Sequence, residues 1–457
     1  MKIDKGRIIN DFIEPNKRQY AIPVYQRNYE WSKEQCVKLF EDIVQAYKKD
    51  RTHFCGSVVY APLKEEQNIH YYIIIDGQQR LTTIYLLLKS LIDLAENDTT
   101  RELIAETLFN RDKFDKFAID KASKLKLKPI KSDDNQLRLL MENKYDDIEK
   151  NSGIWRNYEL FCSLVQAQLD AGMYVKDIYK GVEKLICASI LLEQEDNAQE
   201  MFERINSTGV PLSLADKIRN FVLMTDADQE SLYENYWLKA EVLVHRNNMT
   251  AFFLDYLNTK VDGFAKEEDA YEVFKDVYRK GKYTNESMLK EILHYADFYH
   301  AFLYGDKKYG DKINSLLKSL QKLKQTTVFL FLFPVFDDYE NEVIGLKELE
   351  KVLQFLLHYS IRRLICEIGS NSLRGLYKTL YARVFARTEN KQHYYDTIVS
   401  FFQQLTSKDA LPDDKTFILA LKQNNLYRKN ALCKFLLTAI ENLSLIHISE
   451  PTRQAEI

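Results

Sequence analysis

The chain has 457 residues, 46% apolar and 29% charged, with a formal net charge of −3. That balance describes a folded protein with room for two or three domains, and excludes both a disordered chain and one drawn to nucleic acid by a global cationic field. Six scattered cysteines without a C-x-x-C pair, and eight histidines without an H-x-x-x-H pair, exclude a disulfide scaffold and a regular zinc motif.

The opening MKIDKGRIIN has no apolar h-region, so no secretory signal is expected. The longest strongly apolar run, 328–336, is broken by Pro334 and falls far short of the ~20 residues of a membrane span. A cytoplasmic location without membrane contact is the corresponding expectation.

In chain order, YAIPVY (20–25) is short and apolar, and SKEQCVKLFEDIVQAYKK (32–49) has helical spacing at Cys36, Leu39, Phe40, Ile43 and Val44. HFCGSVVYAP (53–62) reads as a strand whose glycine marks a close approach of backbone or ligand. YYIIID (71–76) reads as a fully buried strand, and LTTIYLLLKSLIDLAE (81–96) as a helix apolar nearly all round, hence central to a core. KLKLKPIKSDDN (124–135) alternates Lys124, Lys126 and Lys128 with leucines, predicting a half-buried strand with one basic face. A solvated edge blunted by lysines and Pro129 is the reading preferred for it over a phosphate-binding ridge. From about 150 onward the pattern is helical, interrupted by FERINSTGVPLSLADKIRNFVL (202–223), where Ser213 can cap a helix with Asp216 three residues on. Aromatic-rich helices follow 225 and suggest a bundle or irregular helical domain.

The chemistry-bearing stretch is Asp76-Gly77-Gln78-Gln79-Arg80, set between the buried strand and the buried helix. Open α/β sheets place ligands at the carboxyl end of a strand, and a helix N-terminus offers unpaired N–H groups and a positive dipole end to an anion. Arg80 can contact phosphate, Asp76 can hold Mg²⁺ or orient a water, and the two amides supply neutral donors and acceptors. A bland alternative makes Asp76 the N-cap and Arg80 its ion-pair partner; it accounts for the acid and the glycine but not for two amides and an arginine in one turn. IPVYQRNYEW (22–31) adds Tyr25, Gln26 and Arg27, a weak signal alone. Neither a G-x-x-x-x-G-K-[ST] loop nor a G-x-S-x-G elbow occurs.

In this order, IPVYQRNYEW, HFCGSVVY, YYIIIDGQQRLTTIYLLL and MFERINSTGVPLSLADKIRN resemble the N-terminal domain of GmrSD-type, modification-dependent restriction endonucleases, a family similar in fold to ParB N-terminal domains and sulfiredoxin. The D-G-Q-Q-R-x-T element is matched by Asp76, Gly77, Gln78, Gln79, Arg80 and Thr82, and the Y-Q-R element by Tyr25, Gln26 and Arg27. The resemblance is close over 1–225 and looser to about 443. It implies an α+β chain: a ParB/sulfiredoxin-like nucleotide-binding domain at 1–225 and a mostly helical region at 226–443; the closing segment 444–457 itself reads as a foreign tail. The resemblance further implies binding and hydrolysis of GTP, CTP, ATP or UTP with Mg²⁺, coupled to recognition of modified phage DNA in anti-phage defence.

On this resemblance Asp76, Gln79 and Arg80 carry catalysis, with Asp76 a candidate Mg²⁺ ligand. Gly77, Gln78 and Thr82 line the nucleotide with Tyr25, Gln26 and Arg27, while Asn206 and Asp216 shape the neighbouring wall. The family usually continues into a His-Me finger nuclease beginning H-I-x-P. Here His447-Ile448-Ser449-Glu450-Pro451 has its proline one place late, so a nuclease domain or subunit is an expected partner outside this chain. A homodimer is a candidate assembly. The alternatives are a nucleotide-regulated DNA-binding module without turnover and, last, a nuclease in its own right. Candidate DNA contacts are Lys124 to Lys131, Arg362, Arg363 and Arg374.

Overall fold

The computed structural model describes residues 1–13, 17–66, 69–110, 125–129, 131–193, 196, 199–201, 212–224 and 228–449. Lys124 and Asn206 lie outside them, as does the closing segment from Glu450; the backbone before it, to Ser449, continues a helix, Asn430–Ser449. The chain forms two compact units, Met1–Glu230 and Ser231–Ile457.

The first unit is built on a mixed six-stranded sheet. In chain order its strands are β1 (Lys2–Arg7), β2 (Arg18–Ala21), β3 (His53–Glu66), β4 (Ile69–Asp76), β5 (Leu127–Lys128) and β6 (Leu185–Leu191). They lie in the order β1-β6-β3-β4-β2-β5, with β3 antiparallel to β4 and parallel to β6, and β2 parallel to both β4 and β5. With the helical second unit this is an α+β protein, as expected. Among the described residues the longer helices of the first unit are α1 (Lys33–Lys48), α2 (Gln78–Asp93), α3 (Asp98–Leu108), α4 (Lys131–Met141), α5 (Gly153–Asp170), α6 (Val175–Glu183) and α7 (Leu214–Leu223).

Local chemistry accounts for several boundaries. Ser32 opens α1 through a capping box with Gln35, and Ser213 opens α7 through another with Asp216. Helix α2 is buried from Leu81 to Leu91 and packs against α3 and α5, the central position its all-round apolarity predicts. Helices α1 and α6 cross at Gly181, where an added Cβ would lie 2.5 Å from the Ile43 carbonyl oxygen. Gly181→Ala is therefore expected to cost about 1–3 kcal/mol of overpacking, seen as a lower denaturant midpoint at unchanged slope.

Two strand expectations are corrected. In β4 only Ile74 and Ile75 are fully buried, while Tyr71, Tyr72 and Ile73 are half-exposed and His70 is exposed. The β3–β4 hairpin carries that end of the strand out of the core, and the Lys64 ammonium lies 5.1 Å over the Tyr71 ring there. The strand with a basic face shrinks to the two residues of β5, and Lys126 is wholly buried between Leu125 and Leu127. Its ammonium donates to the Thr107 carbonyl at 3.1 Å and the Glu106 carbonyl at 3.4 Å, in the last turn of α3. The negative end of that helix, with its orphan carbonyls, holds the cation in place of water. Lys126 is thus no surface contact for DNA.

The second unit is helical with an aromatic core. Phe302 packs against Phe329, Phe333 and Phe336, and Tyr295 and Tyr299 both meet Phe333. Arg363, a candidate DNA contact by sequence, is 2% exposed and donates to the carbonyls of Gly369 and Lys408 and to the Tyr359 hydroxyl. It closes the chain on itself. Among the described residues no helix is long and apolar enough to cross a membrane.

Candidate functional site

Strand β4 delivers Asp76 to the sheet's edge of the core, and the chain then reverses into α2 at Gly77. Gly77 has φ +95°, and a Cβ there would press on the Ser57 carbonyl oxygen at 3.0 Å and on Val58. Glycine is needed on both counts. As the N-cap of α2 it brings no side chain to the first-turn N–H groups. The bland cap reading is thereby corrected, for Asp76 does not cap the helix.

Ser57 on β3 organises the two charged groups. Its hydroxyl donates to Asp76 Oδ2 at 3.2 Å, and its carbonyl accepts from Arg80 Nη1 at 2.7 Å. The Arg80 guanidinium lies against Gly56, which has φ +102° and whose Cβ would sit 2.6 Å from Nη2. The glycine read from HFCGSVVY as a close-approach marker is the space that seats this arginine. The outcome is an uncapped helix end flanked by a carboxylate and a guanidinium, both half-buried.

The two glutamines do something else. Gln78 Nε2 donates to Gln26 Oε1 at 2.9 Å, and Gln26 Nε2 donates to the Ile75 carbonyl at 3.0 Å. Gln79 Nε2 donates to the Asn28 carbonyl at 2.8 Å, while its Oε1 accepts from the Glu30 N–H at 2.8 Å. All three amides are buried and tie the 22–30 segment to the start of α2. Gln79 has both ends of its amide engaged by backbone, so the geometry gives it a positioning role rather than the catalytic one expected. Thr82, in the second turn of α2, is buried at 2% exposed.

Helix α7 closes the other side. Asp216 Oδ2 accepts from the Ser213 hydroxyl and N–H at 2.8 and 3.2 Å, and Oδ1 pairs with Arg219 Nη2 at 2.9 Å. Arg219 Nε in turn donates to the Tyr25 carbonyl at 2.9 Å. Asp216 therefore acts on the 22–30 segment through Arg219, which sequence reasoning missed although it stands three residues on in DKIRN. Ser57 was missed as well; its neighbour Gly56 was the available signal.

Three buried polar atoms, two on the 22–30 segment and one on α7, have no hydrogen-bond partner among the described residues: the Tyr25 hydroxyl, Arg27 Nε and Asn220 Oδ1. Burial pushes the Tyr25 phenol well above its usual range, so it is a neutral donor. Arg27 Nη1 reaches Glu30 Oε2 only at 3.9 Å. Two thiols lie near Arg80, and burial raises Cys55 to about 11 and Cys187 to about 12 against the pull of that guanidinium. They stay protonated near neutrality and are poor nucleophiles. Among the described residues no group of three His, Cys, Asp or Glu side chains is placed to hold a metal ion.

Loop 22–30, the β4–α2 turn, β3 and α7 are thus tied together, with the half-buried Asp76 and Arg80 as the charged groups at the turn. No curated protein matches the chain. Residues 9–223 match the family model described as GmrSD restriction endonuclease, N-terminal domain, and this stretch of the chain is a domain of that restriction endonuclease family.

Proposed function

We propose that the first unit binds and hydrolyses a nucleoside triphosphate at the β4–α2 turn, as the sensor of an anti-phage restriction system acting on modified DNA. The observation that carries this reading is the uncapped N-terminus of α2 between Asp76 and Arg80. Unpaired N–H groups and a guanidinium suit the phosphates. The Tyr25 hydroxyl, Arg27 Nε and Asn220 Oδ1 are polar atoms that a bound ligand would satisfy.

Asp76 is the carboxylate at the turn, which suits an ion arriving with its triphosphate rather than a dedicated protein cage. Mg²⁺ would supply charge neutralisation of the phosphates when bound. In hydrolysis the oxygen of water bonds to the γ-phosphorus, the bond to the β–γ bridging oxygen breaks, and the nucleoside diphosphate and inorganic phosphate leave, with one proton of the water released to solvent. Asp76 would hold the ion or orient that water, and Arg80 would steady the phosphoryl oxygens. A nuclease domain or subunit acts on the outcome.

A second reading is a nucleotide-regulated DNA-binding module without turnover. It is favoured by the engagement of Gln78 and Gln79 in the clamp, which leaves Asp76 as the group to activate water. The test is phosphate release by the full chain with Mg²⁺ and each of GTP, CTP, ATP and UTP, with and without glucosylated or phosphorothioated DNA. Turnover of one nucleotide, stimulated by one DNA, is expected. Binding without release would select the second reading, and absence of binding would remove both.

A further inference from the structure

We propose that the helical second unit carries a groove for an unpaired nucleotide whose base bears an exocyclic amino group. The inference rests on the DNA half of the reading above and is independent of turnover at Asp76. The groove is a cavity of about 540 Å³ within that unit, a volume in the range of small-ligand sites. One wall is the helix Leu373–Val384, with Ser372 at its start and Arg383 three turns on along the same face, about 16 Å away. Phe264 and the turn Ser407–Asp409 face it.

The lining combines three chemistries. Arg374, Arg383 and Lys408 are cationic. Arg374 reaches Asp255 at 3.3 Å through Nη2, Arg383 lies 4.7 Å over the Phe401 ring, and Lys408 is exposed. Phe264 is 46% exposed, with the Lys378 ammonium 5.2 Å from its ring centroid. Asp409 Oδ1 and the Ser372 hydroxyl are buried atoms with no hydrogen-bond partner among the described residues.

The backbone that carries this carboxylate is held in place. The Tyr359 hydroxyl donates to the Asp409 carbonyl at 2.8 Å, and the buried Arg363 donates to the Lys408 carbonyl. Ser407, which starts the turn, is in the left-handed region at φ +58°, a strain found at ligand clamps. A buried carboxylate oxygen lacking a donor disfavours a bare phosphate at that spot and calls for an N–H group. The exocyclic amine of cytosine or adenine supplies one at the edge of the base, whereas the one ring N–H of thymine, at N3, stands between two carbonyl oxygens that repel a carboxylate. An exposed phenylalanine offers a stacking face for the same base, and the cations suit the attached phosphate.

The test is fluorescence anisotropy of the full chain, without nucleoside triphosphate, on labelled oligo-dC, oligo-dA and oligo-dT, with CMP as a competitor. Oligo-dC and oligo-dA are expected to bind at least tenfold more tightly than oligo-dT. Phe264→Ala and Lys408→Gln, both at exposed side chains, should each weaken oligo-dC at least tenfold. Asp409→Ala, which deletes the acceptor, should remove the preference over oligo-dT. Displacement by CMP identifies a free nucleotide as a sufficient ligand, and failure of CMP identifies the strand. Equal binding of the three oligomers, no binding of any, or binding indifferent to the three substitutions overturns the proposal. Asp76→Ala should leave every one of these affinities unchanged, so failure at the β4–α2 turn and failure in this groove remain separate results.

Discussion

Asp76→Ala is expected to lower phosphate release by about 10²–10⁴-fold while changing nucleotide affinity only a few-fold, the range for loss of a group that positions or activates a water. Arg80→Ala should do the reverse in emphasis, weakening binding about 10–100-fold, because a charge-assisted phosphate contact contributes about 1.5–3 kcal/mol. Gly56→Ala supplies an internal control. It leaves every polar group in place, yet its Cβ would come within 2.6 Å of Arg80 Nη2 and displace the guanidinium. It should therefore reproduce the binding defect of Arg80→Ala, with an added stability cost from φ +102°. Equilibrium binding of a fluorescent nucleotide beside single-turnover phosphate release separates the two effects. Retention of turnover in Asp76→Ala would remove this carboxylate from the reaction. Loss of affinity in Arg80→Ala without loss in Gly56→Ala would mean that the guanidinium does not work from its seat against β3.

What the sequence made legible was local. The glycine in HFCGSVVY, the turn at Asp76-Gly77, and the Ser213–Asp216 capping box each depend on a few adjacent residues, and each stands in the structure as read. Burial of α2 was equally plain, since no face of it is polar enough for water. Partnerships across the chain were not legible. Gln78 and Gln79 look like ligand-reading amides until Gln26, Asn28 and Glu30 arrive from some fifty residues upstream and occupy them. Lys126 reads as surface by alternation, because nothing nearby in sequence announces that the last turn of α3 will receive its ammonium. Arg219 and Ser57 were overlooked for the same reason. A side chain's role in this domain is set by which remote backbone carbonyl it meets, and hydrophobic periodicity carries no information about that.

Arg219 is where that lesson has its largest energetic consequence. It is 4% exposed and Asp216 8%, so their ion pair sits in low dielectric. Removing one partner of such a pair strands the other as an uncompensated charge, and costs about 3–5 kcal/mol. Arg219→Leu is accordingly expected to lower the denaturant midpoint by that amount and to release the Tyr25 carbonyl. Asp216→Asn keeps an acceptor for Ser213 and should cost less by itself. The two changes are coupled: in the double variant the stranded carboxylate is gone, so Arg219→Leu with Asp216→Asn should be more stable than Arg219→Leu alone. Strict additivity in this cycle would mean the pair contributes nothing as a pair. The arginine also bridges α7 to the 22–30 segment, which carries Arg27 and the Tyr25 hydroxyl. Nucleotide affinity in the double variant should therefore remain depressed even where its stability recovers, because a leucine side chain has no N–H to hold that carbonyl. A double variant that recovers both stability and affinity would show that α7 supports the fold but has no part in shaping the site.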